Sequence, residues 1–392
     1  MATPTGVAAI NAVYDDMVDR RRSVHRTPEL AFAEHGTTSL IRDHMASLGI
    51  AESARVSDTG GIFTMDGGRP GHTVVLRADI DALPVQEDEK RSGHSEVDGV
   101  MHACGHDVHV GALLGVASAL SAQREDAPGR YVFLFQPAEE ALCGAKRMVE
   151  GGALDAIAGG RLIGFHVASL LPTGMVGMTP GVAMAEAHSL RITVEGPGGH
   201  GAMPTGKGDV ILAVTDLVGR LSSVVEGLSY ESANCVCTAG MLRAGTAVNV
   251  VPTSSMVAGT LRTFTADHKE EAFARLRAVC AAVGDLHEVK VDLAVPEQTP
   301  AVINDAATTA IVEAQAKAVL GNDQVLRMPP LSPSDDVSEF LNRIPGCYFF
   351  VGGAAPDGSS GMHHSPTFAV EDESLRVGAS VMLQSALALA AP

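Results

Sequence analysis

The sequence predicts an α/β protein, a mixed sheet with helices on both faces, plus an inserted ferredoxin-like α+β domain. Three observations carry this. Short apolar runs at 73–76, 131–135, 162–165 and 347–351 each end in polar residues, with helical stretches between them, notably 107–121 and 142–150; such alternation makes an α/β sheet. The middle of the chain instead reads β-α-β-β-α-β, the order of a ferredoxin-like domain. At 392 residues the chain is too long for one ordinary core and fits two domains.

Residues 7–22 read as an acidic-to-basic amphipathic helix. The run 73–76 leads into Arg77-Ala-Asp-Ile-Asp81, and 131–135 into Gln136-Pro-Ala-Glu-Glu140. The helix 142–150 stops at Gly151-Gly152, a good C-terminal signal. The run 162–165 ends at His166, and 347–351 ends in Gly352-Gly353 with Met362-His-His-Ser-Pro366 downstream. In open α/β sheets ligands bind beyond the carboxyl ends of the strands, and there this chain collects its Asp, Glu and His. In the middle, Leu190, Ile192 and Val194 alternate as in a half-buried strand. A helix is expected over 209–225, strands over 234–239 and 255–261, a helix over 269–283 and a last strand over 288–295. The catalytic domain is therefore expected in two parts, 1–183 and 298–392, around an inserted domain at 184–297.

Composition excludes several classes. The formal net charge is -18, against a phosphate-backbone binder, which needs a basic face. No run approaches the ~20 apolar residues of a membrane helix, and no secretory signal is visible. Cysteines at 104, 143, 235, 237, 280 and 347 are scattered; they form no disulfide framework and fit a reducing cytoplasm. Tryptophan is absent, which argues against aromatic cages and stacking platforms.

The densest cluster is His102-Ala-Cys-Gly-His-Asp-Val-His109, just before a helical run. Imidazole and thiolate suit zinc and other borderline metals, and a helix N-terminus favours the thiolate. The bland alternative is a buried cysteine beside surface histidines. Glu139-Glu140 follows a buried strand. Adjacent carboxylates ordinarily form a solvated face, but they point different ways, so one can bind metal while the other faces water. His166, alone at a strand end, and His363-His364, in a loop, are each ordinary as core or surface histidines. Together the four elements supply Cys, His, Glu and His from four strand ends.

With these residues in place, the chain resembles the M20 metallopeptidase family, in its aminoacylase and amidohydrolase branch, which includes hippurate hydrolases, indole-acetyl-amino-acid hydrolases and N-acyl-amino-acid aminoacylases. The matching stretches run the whole length: Arg22-Ser-Val-His-Arg-Thr-Pro-Glu-Leu30, Leu76-Arg-Ala-Asp-Ile-Asp-Ala-Leu-Pro84, Met101-His-Ala-Cys-Gly-His-Asp107, Phe135-Gln-Pro-Ala-Glu-Glu140, Gly164-Phe-His-Val167, Gly198-Gly-His-Gly-Ala-Met-Pro204, Asn249-Val-Val-Pro252, Gly259-Thr-Leu-Arg-Thr263 and His364-Ser-Pro366. The resemblance implies two divalent metals bridged by Cys104, with His106, Glu140, His166 and His364 completing the site. It selects His106 over His109 and His364 over His363. It implies Glu139 as general base, and Asp79 and Asp81 as residues that orient ligands. It further implies a homodimer paired through the inserted domain, His200 stabilising the oxyanion in the partner's site, and Asn249 and Arg262 holding the substrate's carboxylate.

Two departures stand out. Thr205 follows Pro204 where the family often has histidine, and Asp335 replaces glutamate in a Ser-Glu-Asp motif within Leu331-Ser-Pro-Ser-Asp-Asp336. The expected activity is metal-dependent hydrolysis of an N-acyl amino acid to a carboxylic acid and a free amino acid. The alternative is a dipeptidase or carboxypeptidase on the same fold. A thiolate ligand leans toward zinc, with manganese, cobalt or nickel able to serve.

Overall fold

A computed structural model describes residues 5–90, 93–203 and 206–392. The departure at Pro204 and Thr205 lies outside them. The chain divides into two compact units: Met1–Ala183 with Ile303–Met328 and Asp336–Pro392, and Met184–Val302 with Pro329–Asp335. The inserted unit thus runs past residue 297. Strand Gln298–Thr299 pairs with His188 and Ala187, and Ala185 N–H donates to Leu331 O at 2.9 Å, which brings the Pro329–Asp335 segment into this unit.

The first unit holds an eight-stranded sheet in the order Ala51–Ala54, Gly61–Asp66, Pro128–Gln136, Arg69–Asp79, Arg161–Pro172, Gly346–Ala354, Val176–Met178, Val325–Arg327. Its four central strands are parallel and its flanks include antiparallel pairs. Every residue from Val74 to Asp79 is buried, so both faces of that strand are covered. On one face Val74, Leu76 and Ala78 join a core shared with helices His106–Ala122 and Glu373–Ala390. On the other, Arg77 is fully buried; it donates to Gln136 Oε1 at 2.9 Å, Asp79 Oδ2 at 2.8 Å and Tyr348 Oη at 3.1 Å. A buried guanidinium is tolerable only with such partners.

The N-terminal helix expected at 7–22 is two, Thr5–Ala12 and Tyr14–Arg26. A further correction concerns His166, which lies inside strand Arg161–Pro172 rather than at its end. Pairing with the Arg69–Asp79 strand stops at Gly164, while pairing with Gly346–Ala354 continues. His166 therefore stands just beyond its neighbour's paired stretch, although its own strand runs on.

The second unit has the β-α-β-β-α-β order. Its antiparallel sheet runs Val236–Ala244, Ser254–Thr263, Glu186–Glu195, Lys290–Ala294. Helix Val210–Arg220 starts at an Asp209 cap whose side chain accepts from the N–H groups of Ile211 and Leu212, and helix Ala266–His287 at a Thr265 cap. Leu190, Ile192 and Val194 meet Val214, Leu217, Leu276 and Val283 in a separate core.

Candidate metal centre

The site of the first unit grows from the carboxyl ends of its central strands. Gly105 ends the His102–Cys104 loop and opens helix His106–Ala122 at φ 89°; a Cβ there would stand 2.4 Å from Val167 Cγ1. Only glycine fits, and it sets Cys104 and His106 on either side of the helix start.

The Glu139-Glu140 loop is held by three buried carboxylates distant in sequence. Asp81 accepts the backbone N–H of Glu139 and of Glu140, each at 3.0 Å, one per oxygen. Glu34 accepts from Ala138 N–H at 2.9 Å, and Asp336 from Ala145 N–H at 2.8 Å. The loop needs this grip. Ala138 and Leu142 sit at φ 53° and 51°, a left-handed region that costs a non-glycine residue roughly 1–3 kcal/mol. Gly144 closes the loop where a Cβ would meet Pro137 O at 1.7 Å.

These constraints gather six of the expected site residues. Cys104, His106 and His166 form one group of mutually close donor atoms, Cys104, Glu140 and His364 a second, and His106, Glu139 and Glu140 a third. Cys104 belongs to the first two. Its Sγ lies 3.4 Å from His166 Nε2, and His364 Nε2 lies 3.4 Å from Glu140 Oε2.

Ring nitrogens separate the histidines. His106 Nδ1 is 2.9 Å from Asp81 O, so it donates there, and Nε2 is buried without a hydrogen-bond partner. His166 Nδ1 likewise donates to Val167 O at 2.7 Å, which leaves Nε2 as the lone pair toward Cys104. His109 is used up: Nδ1 meets Asp79 Oδ1 and Nε2 accepts Val167 N–H at 2.9 Å. His363 Nε2 accepts Ser169 N–H at 3.2 Å. An unprotonated ring nitrogen with its partner nitrogen donating is what a metal ligand requires.

The electrostatics also call for a cation. Burial opposes the charging of His106, but Asp79 and Asp81 overcome it and raise it to about 10. Burial, then Glu140, Glu139 and Asp79, push the Cys104 thiol well above its ordinary value. Burial first, and then the neighbouring carboxylates, thus oppose the thiolate that the helix N-terminus is expected to favour. Glu140 Oε1 is buried without a hydrogen-bond partner. Sulfur, imidazole and carboxylate donors crowded around negative charge fit divalent metal.

Asp79 and Asp81 also lie in the first unit, and the remaining three expected residues, His200, Asn249 and Arg262, lie in the second. Strand Gly199–His200 pairs with Val250–Val251, and Gly201 N–H donates to Asn249 O at 2.8 Å, so His200 and Asn249 are neighbours. Arg262 stands on strand Ser254–Thr263. Glu34 and Asp336 were not among the expected site residues, nor was His109 expected as the partner of Asp79. Single acids inside apolar or polar runs carry no spacing signal; Glu34 and Ala138 are 104 residues apart.

A donor set of this softness at the carboxyl edge of an α/β sheet defines a metal-dependent hydrolase. Comparison fixes the family: residues 75–388 match peptidase family M20/M25/M40, and the chain belongs to it. It is similar to N-acetyl-L-cysteine deacetylase of Bacillus subtilis (strain 168), at 32% identity over 96% of this chain and 89% of that one. It is similar to thermostable carboxypeptidase 2 of Saccharolobus solfataricus, at 31% over 94% of each. Among solved structures, the Bacillus subtilis YxeP protein, described as a dinuclear metal binding peptidase from the M20 family, superposes with a TM-score of 0.83 at 28% identity, over 97% of this chain and 99% of that one. Among the described residues no helix is long and apolar enough to cross a membrane.

Proposed function

We propose that the protein hydrolyses N-acyl amino acids to a carboxylic acid and a free amino acid. The supporting observation is Cys104, shared by two donor groups beside a Glu139-Glu140 pair that one carboxylate, Asp81, holds in place. Cys104 would hold both of two metals, with His106, Glu140, His166 and His364 completing the set. Bound metal supplies Lewis acidity, which polarises the amide carbonyl and acidifies water. Thiolate softness favours zinc, with manganese, cobalt or nickel as substitutes.

Glu139 takes the proton of the attacking water and delivers it to the departing amine, so that water adds across the C–N bond. Asp79 and Asp81 orient the ligands around it. His200 is exposed, and its Nδ1 accepts Ala202 N–H at 3.1 Å; the ring proton then sits on Nε2, ready to stabilise an oxyanion. Asn249 and Arg262 hold the substrate's carboxylate.

The chain acts as a homodimer in this reading, with His200 serving the partner's site. Support comes from the edge strand Val236–Ala244, exposed from Thr238 through Arg243 and carrying Met241 and Leu242 at 44% and 50% exposure. Such an edge is a template for pairing. The small-molecule substrate, the absence of nucleic acid and membrane partners and a reducing cytoplasm belong to the same reading.

The carboxypeptidase relative favours a second reading, cleavage of peptides. One experiment tests both. Metal-stripped protein is restored with Zn, Mn, Co or Ni and assayed on N-acetyl, N-benzoyl and indole-acetyl amino acids beside unblocked dipeptides. Cleavage of the acylated compounds alone is expected. Cleavage of dipeptides alone moves the protein to the peptidase reading, and no metal-dependent cleavage overturns both.

A further inference from the structure

Arg262 is half-buried, and burial lowers its pKa. One edge of its fork is engaged: Nη1 donates to Ser334 Oγ at 2.9 Å and reaches Ser332 O at 3.4 Å. Ser334 Oγ donates in turn to Ala185 O at 2.7 Å, and Ala185 N–H donates to Leu331 O at 2.9 Å. Ala185 is fully buried, so the Leu331–Ser334 segment is clipped to a fixed backbone point by both polar groups of one residue.

A hydroxyl carries one proton. With that proton committed to Ala185 O, Ser334 presents only lone pairs to Arg262 and can act there only as an acceptor. We propose that Ser334 is a positioning residue: it anchors one edge of the Arg262 guanidinium so that the remaining edge meets the substrate's carboxylate. The inference rests on the reading of Arg262 as the carboxylate-binding residue. A free arginine side chain loses much of its rotamer freedom when it is fixed. Ser334 fixes it before the substrate arrives, which is preorganisation. The departure at Asp335 leaves this serine intact.

The test compares Ser334→Ala, Ser334→Thr and Arg262→Ala in the metal-loaded protein. Each is assayed on the best N-acetyl amino acid of the panel and on its carboxamide. Ser334→Ala is expected to raise KM for the carboxylate substrate about tenfold with kcat within about twofold, the scale of one hydrogen bond to a charged group. The carboxamide's KM is expected to stay unchanged, and Ser334→Thr, which keeps the hydroxyl, to restore the KM. If Ser334→Ala leaves KM unchanged while Arg262→Ala raises it, the positioning role fails and the carboxylate reading stands. If Arg262→Ala also leaves KM unchanged, both fail. Equal losses on both substrates, or no rescue by threonine, make Ser334 a structural residue and overturn the proposal.

Discussion

Glu34 Oε1 lies 2.9 Å from the backbone nitrogen of Ala138, and its Oε2 accepts from Thr59 Oγ1 at 2.7 Å. Glu34 is fully buried, and burial raises its pKa. The bond holds Ala138 in its left-handed conformation one residue before Glu139. Glu34→Ala leaves a buried N–H without its acceptor, a cost of about 1–3 kcal/mol, and frees the loop. We expect kcat to fall at least tenfold and Tm to drop. Glu34→Gln keeps an acceptor oxygen for Ala138 and is expected to retain most activity. Steady-state kinetics and thermal melts on both variants check this, and equal activity in all three proteins would count against the role.

Glu139→Gln keeps the shape of the side chain and removes its basicity. Loss of a general base costs about 10²–10⁴ in rate, so turnover is expected to collapse while metal content stays at the wild-type level. Metal analysis beside the kinetic assay separates the two. Wild-type turnover in a fully loaded variant would remove Glu139 from the base role.

The architecture was legible where periodicity and punctuation are strong. The central strands carry unbroken apolar runs because both faces are buried, and the inserted unit shows alternation at Leu190, Ile192 and Val194 because one sheet face is. The edge strand Val236–Ala244 was read only to Ala239: Gly240 and Arg243 break the pattern, and an exposed edge strand has no buried face to impose one. The candidate ligands were legible as residue types at strand ends, yet sequence spacing could not separate His106 from His109. What distinguishes the two rings in the fold is the hydrogen bonds made by Asp79, Asp81 and the backbone of Val167. The role of Asp336 was illegible for the same reason; its carboxylate serves Gln136 and Ala145, about 190 to 200 residues away.

Metal uptake is expected to release protons. Burial and the carboxylates of Glu140, Glu139 and Asp79 keep the Cys104 thiol protonated well above its ordinary range, whereas a thiolate is the ligand. Affinity therefore falls as pH falls. Titration calorimetry of zinc in buffers of different ionisation enthalpy measures the protons released, and Cys104→Ala is expected to lower that number along with the affinity. An enthalpy independent of the buffer would contradict the assignment.

His25 gives the fold a further pH dependence through Asp107, in the first turn of helix His106–Ala122. Its Nδ1 is 3.1 Å from Asp107 Oδ2 and its Nε2 3.2 Å from Glu87 Oε2. Burial disfavours the imidazolium, but Asp107 and then Glu87 raise it to about 9. The folded value lies above the unfolded one, so the stabilisation is complete below about pH 6.5 and is lost as pH rises through about 9; the shift bounds it at about 3 kcal/mol. The Tm gap between wild type and His25→Gln is expected to be wide at pH 6 and to close by pH 9.5. A gap constant across that range would show that the charge contributes nothing.

The proposed dimer makes the sharpest claim, because it would assign Glu139 and His200 of one active site to different subunits. Leu242→Arg places charge on the exposed edge strand and is expected to give monomers in sedimentation, with activity lost although every site residue is intact. Subunit exchange tests the sharing directly. Glu139→Gln homodimers and His200→Ala homodimers are each expected to be inactive. In a two-fold dimer made of one of each, both lesions fall in one site and the other site is intact. Random exchange makes half the dimers mixed, so activity is expected to recover to about a quarter of wild type. If His200 served its own subunit, every site in the mixed dimer would carry one lesion and mixing would restore nothing.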